Sequence, residues 1–218
     1  MESRFDLIVF DWDGTLLDSA AAIVQSIQAA CLDLGVEPPD DDRARQVIGL
    51  GLHDALGRAV PELNPGDYLR LAARYRFHYL SQDRELKLFP GAARLVRELH
   101  GQGYRLGVAT GKTRFGLDRA MAHAGLESCF HVTRCADECA PKPDPSMLLY
   151  IMDETGASPS RTLMVGDTTH DLRMARSASV AALAVTFGAH RREDLVMEQP
   201  LGIAESIAEL ARWLERNG

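Results

Sequence analysis

From Pro90 onward the chain alternates between apolar runs of strand length and stretches with helical spacing. The strand-like runs lie at 104–110, 128–134, 161–167 and 179–188. Alternation of this kind indicates a parallel sheet, because two parallel strands need a long crossover connection. An earlier run at 5–10 (FDLIVF) is continuously apolar, as in a central strand buried on both faces. The sequence therefore predicts an α/β fold with a doubly wound parallel sheet.

The segment between the first predicted strand and the alternating region carries only helical signals. Apolar residues recur with helical spacing from 18 to 83, with breaks that include Gly35 and the run 37–42 (EPPDDD). A stretch of about 65 residues far exceeds an ordinary strand-to-helix connection. We therefore expect a small helical domain, residues 17–83, inserted into an α/β domain made of residues 1–16 and 84–218.

Composition argues against several classes of partner. The formal net charge of -7 gives no general attraction to nucleic acid or to anionic membranes. No run approaches the roughly 18 apolar residues that a membrane span needs. The first ten residues, MESRFDLIVF, lack the pattern of a secretory signal. We expect a cytoplasmic protein without nucleic-acid or membrane partners.

Four polar segments occur in the regions where predicted strands end. Ligands of an open parallel sheet bind outside the carboxyl ends of its strands, so these segments are expected to lie close together. The four segments are 11–15 (DWDGT), 108–111 (VATG), 141–143 (PKP) and 165–171 (VGDTTHD).

The first two segments suit phosphoryl chemistry. Asp11 and Asp13 lie two residues apart just past a strand, so both side chains are expected to project toward one side. One carboxylate can attack phosphorus while the other acts as acid and base, because their mutual repulsion raises one pKa. The hydroxyl of Thr110 and the backbone N–H groups that follow it, beginning at Gly111, can hold phosphate oxygens.

The other two segments suit charge neutralisation and metal binding. Lys142, held between two prolines, can neutralise a phosphate and a nucleophile together. Magnesium prefers oxygen ligands, and Asp11, the backbone carbonyl of Asp13 and Asp167 can supply them. Asp171 either binds the metal directly or orients its ligands.

Each segment alone also has a purely structural explanation. An Asp-x-Asp pair is often a solvated turn, and a lysine beside prolines is usually exposed. The run 107–113 (GVATGKT) resembles a nucleotide P-loop but is one residue too short for that motif. The specific signal is the presence of all four segments in one order, each associated with a predicted strand.

Taken together, the segments resemble the four motifs of the haloacid dehalogenase-like hydrolase superfamily, over almost the whole chain. The resemblance implies a Rossmann-like core, a Mg²⁺ ion and an aspartyl-phosphate intermediate. Dehalogenases lack an acid two residues after the nucleophile, so Asp13 points to phosphoryl transfer. The helical insert resembles the α-helical cap of the phosphoglycolate phosphatase-like subgroup. The matching positions are 11–18 (DWDGTLLD), Thr110, Lys142, Gly166, Asp167 and Asp171.

The resemblance implies a Mg²⁺-dependent phosphatase that acts on a small phosphorylated metabolite, with 2-phosphoglycolate as the best single candidate. A monomer or a homodimer is compatible with the sequence. The expected catalytic residues are Asp11, Asp13, Thr110 and Lys142. The expected phosphate-binding residues are Thr110, Gly111 and Lys142. The expected metal-binding residues are Asp11, Asp13, Asp167 and Asp171.

Several alternatives share the same core and stay open at this point. A phosphosugar mutase similar to β-phosphoglucomutase has the same motifs and the same cap, and so does a pyrophosphatase or nucleotidase. A binding module without activity is disfavoured, because Asp11, Asp13, Lys142 and Asp167 are all present. The sequence does not distinguish Mg²⁺ from Mn²⁺, since both suit a site rich in oxygen.

Overall fold

A computed structural model describes residues 4–217 and confirms the doubly wound α/β fold. The described strands form one six-stranded sheet in the order β3-β2-β1-β4-β5-β6, with every neighbouring pair parallel. The strands are β1 (Leu7–Phe10), β2 (Arg105–Thr110), β3 (Val132–Cys135), β4 (Thr162–Gly166), β5 (Ala181–Val185) and β6 (Gly202–Ala204).

Strand β1 lies between β2 and β4 and is buried along its whole length. Because side chains alternate between the faces of a strand, Ile8 and Phe10 enter the hydrophobic cluster on one face of the sheet. Leu7 and Val9 enter the cluster on the other face. A strand buried on both faces needs apolar residues at every position, which explains the continuous run in the sequence.

Helices cover both faces of the sheet. Residues of α5, α6 and α10 belong to one hydrophobic cluster, and residues of α7 and α8 belong to the other. The helices are α1 (Ala20–Leu34), α2 (Asp41–Gln46), α3 (Leu52–Ala59), α4 (Tyr68–Gln82), α5 (Ala92–Gly101), α6 (Arg114–Ala124), α7 (Ser146–Thr155), α8 (Thr169–Ser177), α9 (Arg192–Met197) and α10 (Ile207–Asn217). Across residues 4–217, no helix has both the length and the apolar character needed to cross a membrane.

The structure adds two short elements, β6 and α9, that the sequence analysis does not predict. Strand β6 has three residues and helix α9 has six. Neither is long enough for a period of 2 or 3.6 residues to stand out from the surrounding sequence. Their positions follow from tertiary contacts, since β6 pairs with β5 at the edge of the sheet.

Helices α1 to α4 share a hydrophobic cluster of their own, separate from the two on the sheet. Ile27 on α1, Leu56 on α3 and Leu71 on α4 are almost fully buried in it. The two connections between these helices and the sheet run side by side, with an antiparallel bridge between Leu17 and Leu88. The four helices thus leave and rejoin the α/β core at one place.

We expect Ile27→Ala to lower the free energy of unfolding by about 2–5 kcal/mol, because it leaves a cavity in the cluster of α1 to α4. Leu32→Ala on the same helix is the matched control. Leu32 is 66% exposed, so its truncation is expected to change stability by no more than about 0.5 kcal/mol. Urea unfolding followed by circular dichroism measures both. Equal effects of the two variants would contradict the packing described above.

Candidate active site

The sheet brings three of the four polar segments together. Asp11 follows β1, Thr110 ends β2 and Asp167 follows β4, and these are neighbouring strands. The register aligns the last residue of β1, Phe10, with Val108 and Val165. Parallel strands end at the same edge, so the polar side chains converge there.

Three buried carboxylates form a tight cluster at this edge. Asp11, Asp167 and Asp171 are each fully buried. One carboxylate oxygen from each lies within 4.8 Å of the others. Lys142, also buried, comes between two of them, with its Nζ 2.9 Å from Asp11 Oδ2 and 2.6 Å from Asp171 Oδ1. A single ammonium therefore faces three acidic groups in a site without solvent.

Two of these carboxylates are held by hydroxyl and backbone donors. Asp167 Oδ1 accepts a hydrogen bond from Thr15 Oγ1 at 2.7 Å, and its Oδ2 accepts one from the backbone N–H of Ala189 at 2.8 Å. Asp11 Oδ1 accepts from the backbone N–H of Trp12 at 2.6 Å. These bonds fix the orientation of both side chains without neutralising them.

Asp171 has a structural task as well. Its Oδ2 accepts from the backbone N–H and the hydroxyl of Thr168, at 3.0 and 2.7 Å. Thr168 in turn caps α8 and completes a capping box with Asp171, which satisfies two backbone donors at the start of the helix. The remaining oxygen, Oδ1, faces Lys142. The capping box of α8 thus determines which oxygen of Asp171 lies in the carboxylate cluster.

Burial dominates the electrostatics of the cluster. It raises the pKa of Asp167 to about 7, with repulsion from Asp171 acting in the same direction. Burial also raises the pKa of Asp11 well above its usual range, although Lys142 opposes that shift. Burial alone would lower the pKa of Lys142, but Asp11 and Asp171 outweigh it and the pKa rises. With one ammonium for three carboxylates, the cluster is also short of positive charge.

A divalent cation fits this lack of positive charge. Asp11 Oδ2 and Asp171 Oδ1 are fully buried, and they lie 2.9 and 2.6 Å from the ammonium of Lys142. Hard cations such as Mg²⁺ take carboxylate oxygens as ligands. Asp11, Asp167 and Asp171 are therefore the residues whose side chains can hold such an ion.

The carboxylate of Asp13 lies apart from this cluster. Its oxygens are 2.9 and 3.0 Å from Lys112 Nζ, and Oδ1 also accepts from Ser19 Oγ at 2.7 Å. The hydroxyl of Tyr79 lies 2.8 Å from Lys112 Nζ. Asp11 and Asp13, two residues apart, therefore have different partners, and both line the same cavity.

Thr110 and Gly111 border that cavity at the end of β2. Thr110 is fully buried, and its Oγ1 accepts from the backbone N–H of Lys112 at 3.2 Å. A Cβ atom at Gly111 would lie 2.5 Å from the carbonyl oxygen of Leu50 and 2.7 Å from that of Gly49. Position 111 therefore requires glycine because the chain between α2 and α3 passes directly against it.

A cavity of about 210 Å³ opens above the strand ends. Its floor carries the acids of the first segment together with Thr110 and Lys112, whereas much of its wall comes from helices α1, α3 and α4. The apolar residues of that wall include Ile23, Ile27, Leu52, Leu56 and Leu80. Helices α1, α3 and α4 therefore cover the edge of the sheet where the polar segments meet.

Four residues at this site were missed by the sequence analysis. Lys112 lies in the run 107–113, and the resemblance of that run to a P-loop is the signal that could have indicated this residue. Thr15 lies inside the first segment but was given no role. Tyr79 and Gly188 carry no local signal. A Cβ atom at Gly188 would lie 2.2 Å from Asp167 Oδ2, so this glycine makes room for the acid.

Comparisons with known proteins agree with this geometry. A family model described as "Haloacid dehalogenase-like hydrolase" matches residues 8–185. A protein of Dickeya dadantii (strain 3937) named "Probable phosphatase IndB" is 39% identical over 211 residues, covering 94% of this chain and 91% of that protein. A "Phosphoglycolate phosphatase" of Agrobacterium fabrum is 32% identical over 188 residues, covering 84% and 81% of the two chains.

The fold is likewise similar to solved structures. The crystal structure of a predicted phosphoglycolate phosphatase from Haemophilus somnus superposes with a TM-score of 0.88 at 25% identity. The match covers 98% of this chain and 99% of that one. The similarity therefore extends over the sheet and the inserted helices alike.

We expect Lys142→Met to destabilise the metal-free protein by about 3–5 kcal/mol, because it leaves Asp11 and Asp171 buried without their cation. Lys87→Met is the control, since Lys87 is exposed and its loss is expected to change stability by at most about 0.5 kcal/mol. Urea unfolding in the presence of a chelator measures both variants. A Lys142→Met protein as stable as wild type would show that the ammonium does not offset the repulsion.

Proposed function

The chain is a phosphatase of the haloacid dehalogenase-like hydrolase family, and we propose that it hydrolyses a small phosphate monoester through an aspartyl phosphate on Asp11. The observation that carries the proposal is the contrast between the two acids of the first segment. Asp11 is buried against Lys142, whereas Asp13 faces the cleft among hydrogen-bond donors. One acid is placed to attack and the other to exchange protons.

Asp11 is suited to act as the nucleophile. Its Oδ1 accepts a hydrogen bond from the Trp12 N–H at 2.6 Å, and its Oδ2 lies 2.9 Å from Lys142 Nζ. Lys142 lies beside Oδ2 and favours the ionised carboxylate. Attack forms a bond between Asp11 and phosphorus as the bond between phosphorus and the leaving oxygen breaks.

Asp13 is suited to handle the protons. In the first half-reaction its carboxyl gives a proton to the leaving oxygen. In the second half-reaction its carboxylate takes a proton from the water that attacks the aspartyl phosphate, and Asp11 is released. Both roles need a side chain that reaches the cleft, and Asp13 lines it.

The phosphoryl oxygens are held by three residues at the strand ends. Thr110 offers its hydroxyl, Gly111 offers a backbone N–H, and Lys142 offers its ammonium. Donors placed in advance around developing negative charge stabilise a transition state without reorganising. Thr110 and Gly111 line the cleft, and Lys142 adjoins the nucleophile.

Asp11, Asp167 and the backbone carbonyl of Asp13 are the proposed ligands of Mg²⁺, with Asp171 as a ligand or as the group that orients them. The support is the cluster of three buried carboxylates, which outnumber the single ammonium of Lys142. When bound, Mg²⁺ supplies positive charge that shields the phosphoryl group and the nucleophile from each other.

Residues 17–83 are proposed to form a cap domain over a core of residues 1–16 and 84–218. Their separate hydrophobic cluster and their contribution to the wall of the cleft support this division. A cap that closes over bound substrate excludes bulk water and contacts the part of the substrate beyond the phosphate.

The proposed substrate is 2-phosphoglycolate. The support is the name carried by relatives from Agrobacterium fabrum, at 32% identity, and Vibrio vulnificus, at 29%. We place the enzyme in the cytoplasm, acting on a free metabolite as a monomer or homodimer. Its net charge of -7 is in keeping with the absence of nucleic-acid and membrane partners.

Phosphate release from a panel of esters tests the proposed reaction. The panel contains 2-phosphoglycolate, hexose phosphates, nucleotides and pyrophosphate, each with Mg²⁺ and with chelator. We expect Mg²⁺-dependent turnover with 2-phosphoglycolate as the best substrate. Asp11→Asn is expected to lower kcat by a factor of at least about 10³, since it removes the nucleophile.

The panel also separates the alternatives. Turnover of pyrophosphate or nucleotides above 2-phosphoglycolate would reassign the substrate, and isomerised hexose phosphate would indicate a mutase. If no ester turns over, or if Asp11→Asn retains full activity, the proposed reaction is wrong.

Thermal unfolding tests the metal site without measuring activity. At a Mg²⁺ concentration of a hundred times Kd, we expect a stabilisation of about 2.7 kcal/mol, or roughly 5–10 °C for a chain of this size. Asp167→Asn is expected to lose most of this shift. Asp153→Asn, which changes an exposed acid on α7, is expected to keep it. Retention of the full shift in Asp167→Asn would exclude Asp167 as a ligand.

A further inference from the structure

Lysine is rare in this chain, and two of its lysines contact acids of the first segment. The chain has 24 lysines and arginines in total, and only Lys87, Lys112 and Lys142 are lysines. Lys87 is exposed, whereas Lys112 and Lys142 lie at the strand ends against acids of the first segment. An ammonium is a compact charge, and the planar guanidinium of arginine does not replace it at close quarters. Lys142 has a role in the mechanism above, and Lys112 has none.

Lys112 contacts both oxygens of Asp13. Its Nζ lies 2.9 Å from Oδ1 and 3.0 Å from Oδ2, and the two side chains are only 9% and 10% exposed. The backbone of Lys112 is itself anchored, since its N–H donates to Thr110 Oγ1 at the end of β2. A buried ammonium on a fixed backbone leaves the carboxylate few alternative orientations.

The same ammonium reaches the helical segment. The hydroxyl of Tyr79 on α4 lies 2.8 Å from Lys112 Nζ, and the Nζ lies 4.7 Å from the centre of the Tyr79 ring. Asp13, Lys112 and Tyr79 belong to the loop after β1, the loop after β2 and helix α4, respectively. Lys112 therefore joins two strand ends of the sheet to the segment that covers them.

Donors from two other residues surround the Asp13 carboxyl. Lys112 contacts both oxygens, and the Ser19 hydroxyl donates to Oδ1 at 2.7 Å. These contacts hold the Asp13 carboxyl at the cleft, where it is the proposed proton acceptor of the second half-reaction. A base at this position serves the second half-reaction, in which a water proton must be accepted.

We propose that Lys112 is a positioning residue for the second half-reaction, and that Tyr79 makes this positioning depend on helix α4. The inference rests on the proposed function of Asp11 and Asp13. In this step the water oxygen bonds to phosphorus, and the bond from phosphorus to Asp11 breaks with its electron pair returning to the carboxylate. The water proton passes to Asp13, which Lys112 holds in place.

Burst kinetics with p-nitrophenyl phosphate and Mg²⁺ test this role. p-Nitrophenolate departs without a proton, so the first half-reaction proceeds without help from Asp13. If Lys112→Met slows only the second half-reaction, its steady-state rate falls by about tenfold or more. A burst approaching one p-nitrophenolate per active site then appears, because phosphorylated Asp11 accumulates. A purely structural defect would lower the burst and the steady-state rate together.

Three further variants sharpen the test. Tyr79→Phe removes only a hydroxyl, and we expect it to give a burst and to lower the steady-state rate about fivefold. If Lys112→Met does not fold, Tyr79→Phe tests the inference by itself. Asp13→Asn is expected to give the largest burst. Lys87→Met is expected to match wild type.

The possible failures are distinguishable. The inference is overturned if Lys112→Met and Tyr79→Phe turn over like wild type, or if both lose rate without a burst. If the wild-type enzyme releases no phosphate, or if Asp11→Asn still turns over, the proposed function itself is wrong and the inference falls with it.

Discussion

The contact on which the site depends is the buried ammonium of Lys142 between Asp11 and Asp171. Three carboxylates gathered without solvent repel one another strongly, and a single cation offsets only part of that repulsion. Much of the surrounding structure holds these groups in place. Thr15 orients Asp167, and the cap of α8 orients Asp171. Burial, together with the neighbouring acids, raises the pKa values of Asp11 and Asp167.

The same imbalance provides the chemistry. A cluster short of positive charge attracts a divalent cation and a cationic side chain. Both cations reduce the repulsion between a dianionic ester and an anionic nucleophile. The carboxylate of Asp13 lies outside the cluster because it binds Lys112 and Ser19 in the cleft. Two acids separated by one residue thus have different surroundings, which is the basis of the different roles that we propose for them in a two-step hydrolysis.

Much of this arrangement can be predicted from the sequence. The apolar run of β1 predicts a strand that is buried on both faces. Because parallel strands end at one edge of the sheet, the sequence also predicts that Asp11, Thr110 and Asp167 lie close together. Lys112 was missed because its run was judged only as a P-loop. Gly188 and Tyr79 were missed for a different reason, since their roles arise from close approaches between segments far apart in the chain.

In the proposed mechanism Asp11 carries the phosphoryl group. Its most direct test is an acid quench of Asp13→Asn, mixed with Mg²⁺ and p-nitrophenyl phosphate, followed by peptide mass spectrometry. We expect the added mass of one phosphoryl group on the peptide that contains Asp11, and no added mass when Asp13→Asn is combined with Asp11→Asn. A quenched enzyme that has released p-nitrophenolate but carries no phosphoryl group on Asp11 would contradict the account.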